Sequence, residues 1–255
     1  MSARSVRAQS EPAAGTGAPA PAPAPVANVN PIAPEDVILV GGEALFDVVA
    51  GDGDALEAHP GGGPFNAART IARLDQPVAY LRRLSTESAL EAVVDRLAGT
   101  DTMVVVDPNC RPHVINDPSA YRRRLRWILA HTHLVKVSEE DVAFLDPDRD
   151  PVKATRALLA DGPSVGLLTR GGDGVVVVTN DSDVVVTPPA VKVVDTIGAG
   201  DAFAGGFLSW WRERDLGADA LPDLDTVVEA ATFACLVAAR TCERAGASPP
   251  YRREL

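Results

Sequence analysis

Short apolar runs that end in glycine or small polar residues recur along the chain: "DVILVGG" (36–42), "MVVVDPN" (103–109), "HLVKVS" (133–138) and "SVGLLTRGG" (164–172). Runs of this length and evenness read as strands buried on both faces of a sheet. Between them, apolar residues fall at helical spacing in "PFNAARTIARL", "SALEAVVDRL", "PSAYRRRLRWILAHT", "EEDVAFL" and "VKATRALLA". Strand then helix, repeated, predicts an α/β fold, a doubly wound and mostly parallel sheet with helices on both faces. Further on, "GVVVVTN" and "DVVVTPP" flank a polar "NDSD", which predicts a hairpin, and "KVVD" predicts one more short strand. The last long helix is expected at about Leu224 to Arg244, where Val227, Ala231, Ala234 and Leu236 or Val237 share a face.

The N-terminal "SEPAAGTGAPAPAPAPVANVNP" breaks this pattern. An Ala/Pro repeat without an apolar stretch reads as a disordered tail over 1–35 and not as a secretory leader, so the folded domain is expected over 36–255. The 255 residues suffice for one large α/β domain, and with 46% hydrophobic but only 5% aromatic residues the core must be aliphatic. A formal net charge of -11 argues against nucleic acid and anionic membrane as partners, and favours a small molecule. No apolar run approaches the roughly 18 residues of a membrane span. Cys110, Cys235 and Cys242 form no CxxC pair and read as reduced thiols of a cytoplasmic protein. His131 and His133 alone do not make a metal site and read as structural.

Candidate chemistry lies where apolar runs end, because open α/β sheets bind ligands beyond the carboxyl ends of their strands. Asp47, Gly61 to Asn66, Asp107, Ser138 and Thr169 to Gly172 all fall there. So does "VVDTIGAGDAFAGGF" (193–207). In it Gly198, Ala199 and Gly200 expose successive backbone N–H groups at the start of a helix, a place for an anion. Asp201 follows in the first turn, beside that anion, placed to take a proton from an attacking hydroxyl. The helix end lowers the pKa of such an acid. Phosphoryl transfer tolerates a weak base, since the acid chiefly orients the hydroxyl and collects its proton late. The competing reading of Asp201 is an ordinary first-turn acid. A Rossmann fingerprint is not supported, because Phe203 stands where "GAGDAF" needs its third glycine, and no GxxxxGK[ST] occurs.

Together these residues resemble the ribokinase-like, PfkB-type sugar kinases, most closely the fructokinase branch, from about Val37 to Pro250. "DTIGAGDAFAGGF" and "HPGGGPFNAARTIARL" are similar to the two signatures of that family, and "GEALFD", "VDPNCRP", "VKVSEEDVAFL", "LLTRGGDG" and "GASPP" follow in family order. The resemblance implies a ribokinase-like fold, with Asp201 as catalytic base and the amides of Gly198, Ala199 and Gly200 as the anion hole. It assigns Asp47, Gly62 and Asn66 to the sugar; without it, Asn66 reads equally as a helix cap. It places Lys136, Ser138, Thr169, Gly171, Gly246 and Ala247 along the ATP site. Asp107, Asn109 and Arg111 alternate, so in an extended segment they share a side, and Arg111 reaches a phosphate. Asp141 takes the acidic position of an Asn-x-x-Glu pattern that organises Mg²⁺, here Ser-x-x-Asp, an acid of shorter reach. ATP and Mg²⁺ are the implied cofactors, with K⁺ left open.

After "YLRRLS" the sequence passes directly to "TESALEAVVDRL". By the resemblance, roughly eighty residues of lid and central sheet are absent between about 85 and 88, leaving ~220 residues of domain. Two functions of different class follow. One is an ATP-dependent kinase of a sugar hydroxyl, with a ketohexose such as fructose as the favoured acceptor. The other is an inactive remnant that only binds nucleotide or sugar. Loss of the lid would weaken sugar binding and any homodimer built through it.

Overall fold

A computed structural model describes residues 37–42, 45–50, 56–82, 87–97 and 100–255. The tail expected over 1–35, and residues 85 and 86 of the expected junction, lie outside the described residues.

The largest sheet is built from β5 (Val105–Val106), β6 (Leu134–Ser138), β7 (Val165–Thr169), β8 (Val175–Val178) and β9 (Asp183–Val186), in that order. β5, β6 and β7 run parallel, and β8 and β9 continue antiparallel as the expected hairpin. Alternation along each strand sends neighbouring side chains to opposite faces. Leu134, Val165, Leu167, Val175 and Val177 pack on one face beneath α6 (Ala199–Glu213) and α7 (Leu224–Cys242). Val135, Val137, Leu168, Val176 and Val178 pack on the other, against α3 (Pro118–Leu129), α4 (Glu139–Leu145) and α5 (Pro151–Leu159). Both faces are therefore dry at β6, β7 and β8, which is why the apolar runs there are continuous, while the edge strand β9 leaves Val185 exposed.

The helices begin where their caps dictate. Asp117 accepts from the N–H groups of Ser119 and Ala120 ahead of Pro118, and Asp150 caps α5 in the same way ahead of Pro151. Ser138 and Asp141 form a reciprocal capping box on α4.

β1 (Ile38–Gly42) and β4 (Val78–Arg82) form a separate parallel pair, and β2 (Leu45–Ala50) and β3 (Leu56–Gly61) an antiparallel one. This corrects two expectations. β1 is not buried on both faces, since its exposure alternates and Leu39 is 50% exposed. Asp47 lies within β2, opposite His59, rather than past the end of a run. "KVVD" is not a strand either: the N–H groups of Val194 and Asp195 donate to the carbonyl of Cys242 at the end of α7, which leaves Val193 and Val194 exposed.

α1 (Gly63–Arg73) crosses α6 at Gly205. A Cβ on Gly205 would stand 2.6 Å from Cβ of Thr70 and 2.8 Å from the carbonyl oxygen of Ala67. The bare backbone at 205 lets the two helices touch, and this contact brings their N-terminal turns together. No helix among the described residues is long and apolar enough to cross a membrane.

Candidate active site

The carboxyl ends of β5, β6 and β7 lie side by side, so Asp107, Ser138 and Thr169 share one sheet edge. α6 begins near this edge. Gly198, its N-cap, adopts φ 76, a left-handed conformation that suits glycine, and a Cβ there would collide with Ala247 at 2.5 Å. The turn thus packs directly on the 246–247 loop. Ala199 N–H turns back to the carbonyl of Thr196 at 3.2 Å, while the N–H groups of Gly198 and Gly200 have no protein partner among the described residues. Two donors of the three remain for an anion.

Lys136 supplies the positive charge. It is 7% exposed and its Nζ lies 2.6 Å from Asp107 Oδ2. A Cβ on Gly200 would be 3.4 Å from the same Nζ, which places the ammonium against the first turn of α6. A buried ammonium and a helix N-terminus at one point make a strong anion site.

Asp201 is held across the helix crossing. Its Oδ2 accepts from Asn66 Nδ2 at 3.0 Å, and Oδ1 faces α1, where a Cβ on Gly63 would be 3.0 Å away. Burial pushes the Asp201 carboxyl above its ordinary range, against the opposing pull of the Asn66 hydrogen bond and the Lys136 charge; Asp107 adds to the rise and Arg111 opposes it. Desolvation outweighs the Asn66 hydrogen bond and the nearby cations, so the direction is opposite to the one read from the sequence. The acid is a better base than an exposed aspartate.

Asn66 does not cap its helix. Gly62 is the N-cap, at φ 102, and Asn66 sits in the first turns of α1, 5% exposed, with its amide aimed at Asp201. Asp47 lies on β2, and its side chain falls outside the described residues.

The 107–111 segment is not extended throughout, because Asn109 has φ 41. Its backbone N–H donates to Asp107 Oδ1 at 3.2 Å, and its Nδ2 would be 3.1 Å from a Cβ on Gly63. Asn109 and Gly63 are thus site residues that sequence reasoning placed in candidate segments without a role of their own. Gly63 fell within the segment Gly61 to Asn66, of which only Gly62 and Asn66 were assigned to the sugar. Arg111 donates to the Cys110 carbonyl at 3.4 Å and contributes to the field at Asp201.

Asp141 is 4% exposed and both its oxygens are engaged. Oδ2 accepts from the Ser138 backbone and hydroxyl, each at 2.8 Å, and Oδ1 from Cys110 N–H at 2.6 Å. It braces the 107–111 loop against α4. No group of three or more His, Cys, Asp or Glu among the described residues is placed to hold a metal.

Thr169 ends β7 beside Ser138, donating to the Val137 carbonyl at 3.2 Å. Gly171 and Gly246, at φ 53 and 67, would meet nothing within 4 Å if given a Cβ, so both border open space. Gly246 N–H donates to Asp195 Oδ2 at 2.8 Å, and Ile197 N–H to Oδ1 at 3.0 Å; these amides hold the Asp195 carboxyl below its usual range. Of the histidines, His133 accepts from Val104 N–H at 3.0 Å and His131 packs on Trp127.

Residues 84–253 match the pfkB family of carbohydrate kinases. The chain belongs to that family. A fructokinase of Rhizobium leguminosarum bv. trifolii is 34% identical over 119 residues, 47% of this chain and 36% of that protein. A fructokinase of Salmonella thompson is 32% identical over 177 residues, 68% of this chain and 76% of that one. Other curated relatives match over 31% to 55% of their length, so the chain spans about half of those relatives' length or less. A fructokinase double mutant of Vibrio cholerae O395, crystallised with fructose, ADP and potassium ion, superposes with a TM-score of 0.73 at 20% identity, over 83% of this chain and 94% of that one. At that identity the likeness shows the ribokinase-like fold. In this pfkB family member, Asp201 and the turn at 198–200 lie in one cluster with Asn66 and Lys136.

Proposed function

We propose that this chain transfers the γ-phosphoryl group of ATP to a sugar hydroxyl, with a ketohexose such as fructose as the acceptor. One observation carries the reading: a partly buried carboxylate of raised pKa, a buried ammonium and two unpartnered amides meet at the start of one helix. The sugar oxygen attacks the γ-phosphorus, the bond to the β–γ bridging oxygen breaks to release ADP, and the hydroxyl proton passes to Asp201. The amides of Gly198 and Gly200 and the ammonium of Lys136 stabilise the charge on the moving phosphoryl group, and Arg111 adds to it. Asn66 offers its second N–H and its free lone pair to the sugar, with Gly62, and with Asp47 on β2. Thr169, Gly171, Gly246 and Ala247 border the nucleotide. Mg²⁺ would enter on the phosphates of ATP and neutralise part of their charge; Asp141, fully engaged by the protein, fits only an indirect role there.

The remnant reading loses ground to this assembled cluster. Purified protein given ATP, Mg²⁺ and a panel of ketohexoses, aldohexoses, pentoses and nucleosides should release ADP in step with sugar phosphate, most rapidly with the ketohexose. ADP release that no sugar stimulates overturns the reading. Replacing Lys136 with Met should lower kcat by about 10²–10³-fold, as loss of a preorganised donor does, with the sugar KM little changed. An unaltered kcat would remove Lys136 from the phosphoryl site.

A further inference from the structure

Asn66 lies between two opposite charges. Its Nδ2 donates to Asp201 Oδ2 at 3.0 Å, and its Oδ1 accepts from the guanidinium of Arg69 at 3.3 Å. Asn66 and Arg69 are three residues apart on α1 and so share a face. Turning the amide over would set its oxygen against the carboxylate and its N–H groups against the guanidinium. Both contacts would then repel, so Arg69 leaves the amide one orientation.

We propose that Arg69 is a positioning residue of the phosphoryl-transfer site, acting through Asn66 to bind Asp201 by Oδ2 and leave Oδ1 as the proton-accepting oxygen. This rests on the kinase reading above. Arg69 has no structural duty that would compete with the role. Among the described residues its side chain makes this one hydrogen bond, its Nε is buried without a partner, and its guanidinium lies over Phe65 with Cζ 5.8 Å from the ring centroid. Burial and the neighbouring charge of Arg73 both work against its protonated form, and Asp201 favours it. A partly buried arginine set beside a second cation, with its hydrogen bond spent on a site amide, is costly to hold for packing alone. The charges around Asp201 are then Lys136 on β6, Asp107 and Arg111 beyond β5 and, more weakly, Arg69 on α1, for which Asp201 is the smallest of the influences on its own charge. Removing one cation from this set raises the acid's pKa further and shifts the low-pH limb of the rate profile upward.

The test compares wild type, Arg69→Met, Arg69→Lys, Asn66→Ala and the double variant Arg69→Met/Asn66→Ala. Methionine keeps contact with Phe65 but removes charge and donor; lysine keeps the charge. Arg69→Met should lower kcat on the order of tenfold, with ATP KM unchanged and the acid limb of kcat/KM moved to higher pH. Arg69→Lys should return the limb to its place. In the Asn66→Ala background the Arg69→Met change should have little further effect, the non-additivity expected of two groups acting as one. The carboxyl ¹³C signal of Asp201 should titrate at higher pH in Arg69→Met than in wild type, a readout that needs no turnover. Wild type without sugar-dependent turnover sinks the kinase reading, while the ¹³C titration still reads Arg69. An acid limb and ¹³C titration that do not move, or losses from Arg69→Met and Asn66→Ala that simply add, overturn the role given to Arg69.

Discussion

Asp201→Asn should lose the proposed sugar phosphorylation by about 10³-fold, within the 10²–10⁴ expected for a positioned base, while nucleotide binding should survive. The amide can still accept from Asn66, so the helix crossing is kept. The same substitution should stabilise the fold at neutral pH. Burial raises the Asp201 pKa, so folding favours the protonated acid. That contribution is complete below the unfolded-state pKa and fades as pH climbs through the folded-state value, so the ionised carboxylate costs stability at pH 7–8. Thermal melts should show the Asn variant ahead of wild type at pH 8 and the gap narrowing as pH falls through the raised folded-state pKa. The wild-type rate should fall in acid at a pH above the usual carboxylate range. Phosphorylation that persists in the Asn variant would remove Asp201 from the mechanism, and a variant less stable at pH 8 than wild type would contradict the burial cost.

Gly205→Ala should be nearly as harmful to turnover, although residue 205 touches no substrate. A methyl group there meets Thr70 at 2.6 Å and the Ala67 carbonyl at 2.8 Å, and backbone cannot step aside cheaply. Overpacking of this kind costs about 1–3 kcal/mol, which for a domain of this size lowers Tm by roughly 2–4 °C per kcal/mol. Asn66 is one turn before Thr70, and Asp201 one turn before Gly205, so separating the helices stretches the 3.0 Å bond between them. Misplacement by an ångström can cost on the order of 100-fold in rate. Kinetics and melts of Gly205→Ala, with Gly206→Ala as a second glycine of the same helix facing α7 instead, would separate the two effects. Wild-type kcat in Gly205→Ala would show that the crossing does not set the site.

The centre of the sheet that carries the site was legible in the sequence because β6, β7 and β8 are dry on both faces and bounded by glycine, proline or acid. The runs at 133–138 and 164–172 became β6 and β7. α3 and α5 were legible from apolar residues at helical spacing, and the structure adds the aspartate caps ahead of their prolines. β2 and β3 were not, since "LFDVVA" and "LEAHPG" mix apolar, charged and proline residues without clean alternation, and the Asp52-Gly53 dipeptide between them, a hairpin signal, went unread. "KVVD" misled because its valines imitate a strand while its backbone bonds go to a helix end, a long-range contact that no local pattern encodes. The glycine-alanine-glycine turn and Asp201 were readable from local chemistry. The raised pKa was not, because it comes from burial under elements distant in sequence. Arg69 was equally hidden: on the helical pattern it is one more polar residue of an amphipathic helix, and its meaning depends on Asn66 pointing across to α6.

Two of the chain's three tryptophans, Trp210 and Trp211, lie on α6, where Trp211 stacks on Phe207 at 5.4 Å and both indoles are shielded from water. The helix that opens on the proposed phosphate-binding turn therefore supplies most of the protein's buried indole emission. Its intrinsic fluorescence is an unlabelled optical gauge of this helix, shifting to longer wavelength when α6 leaves the core and remaining blue while the site is intact.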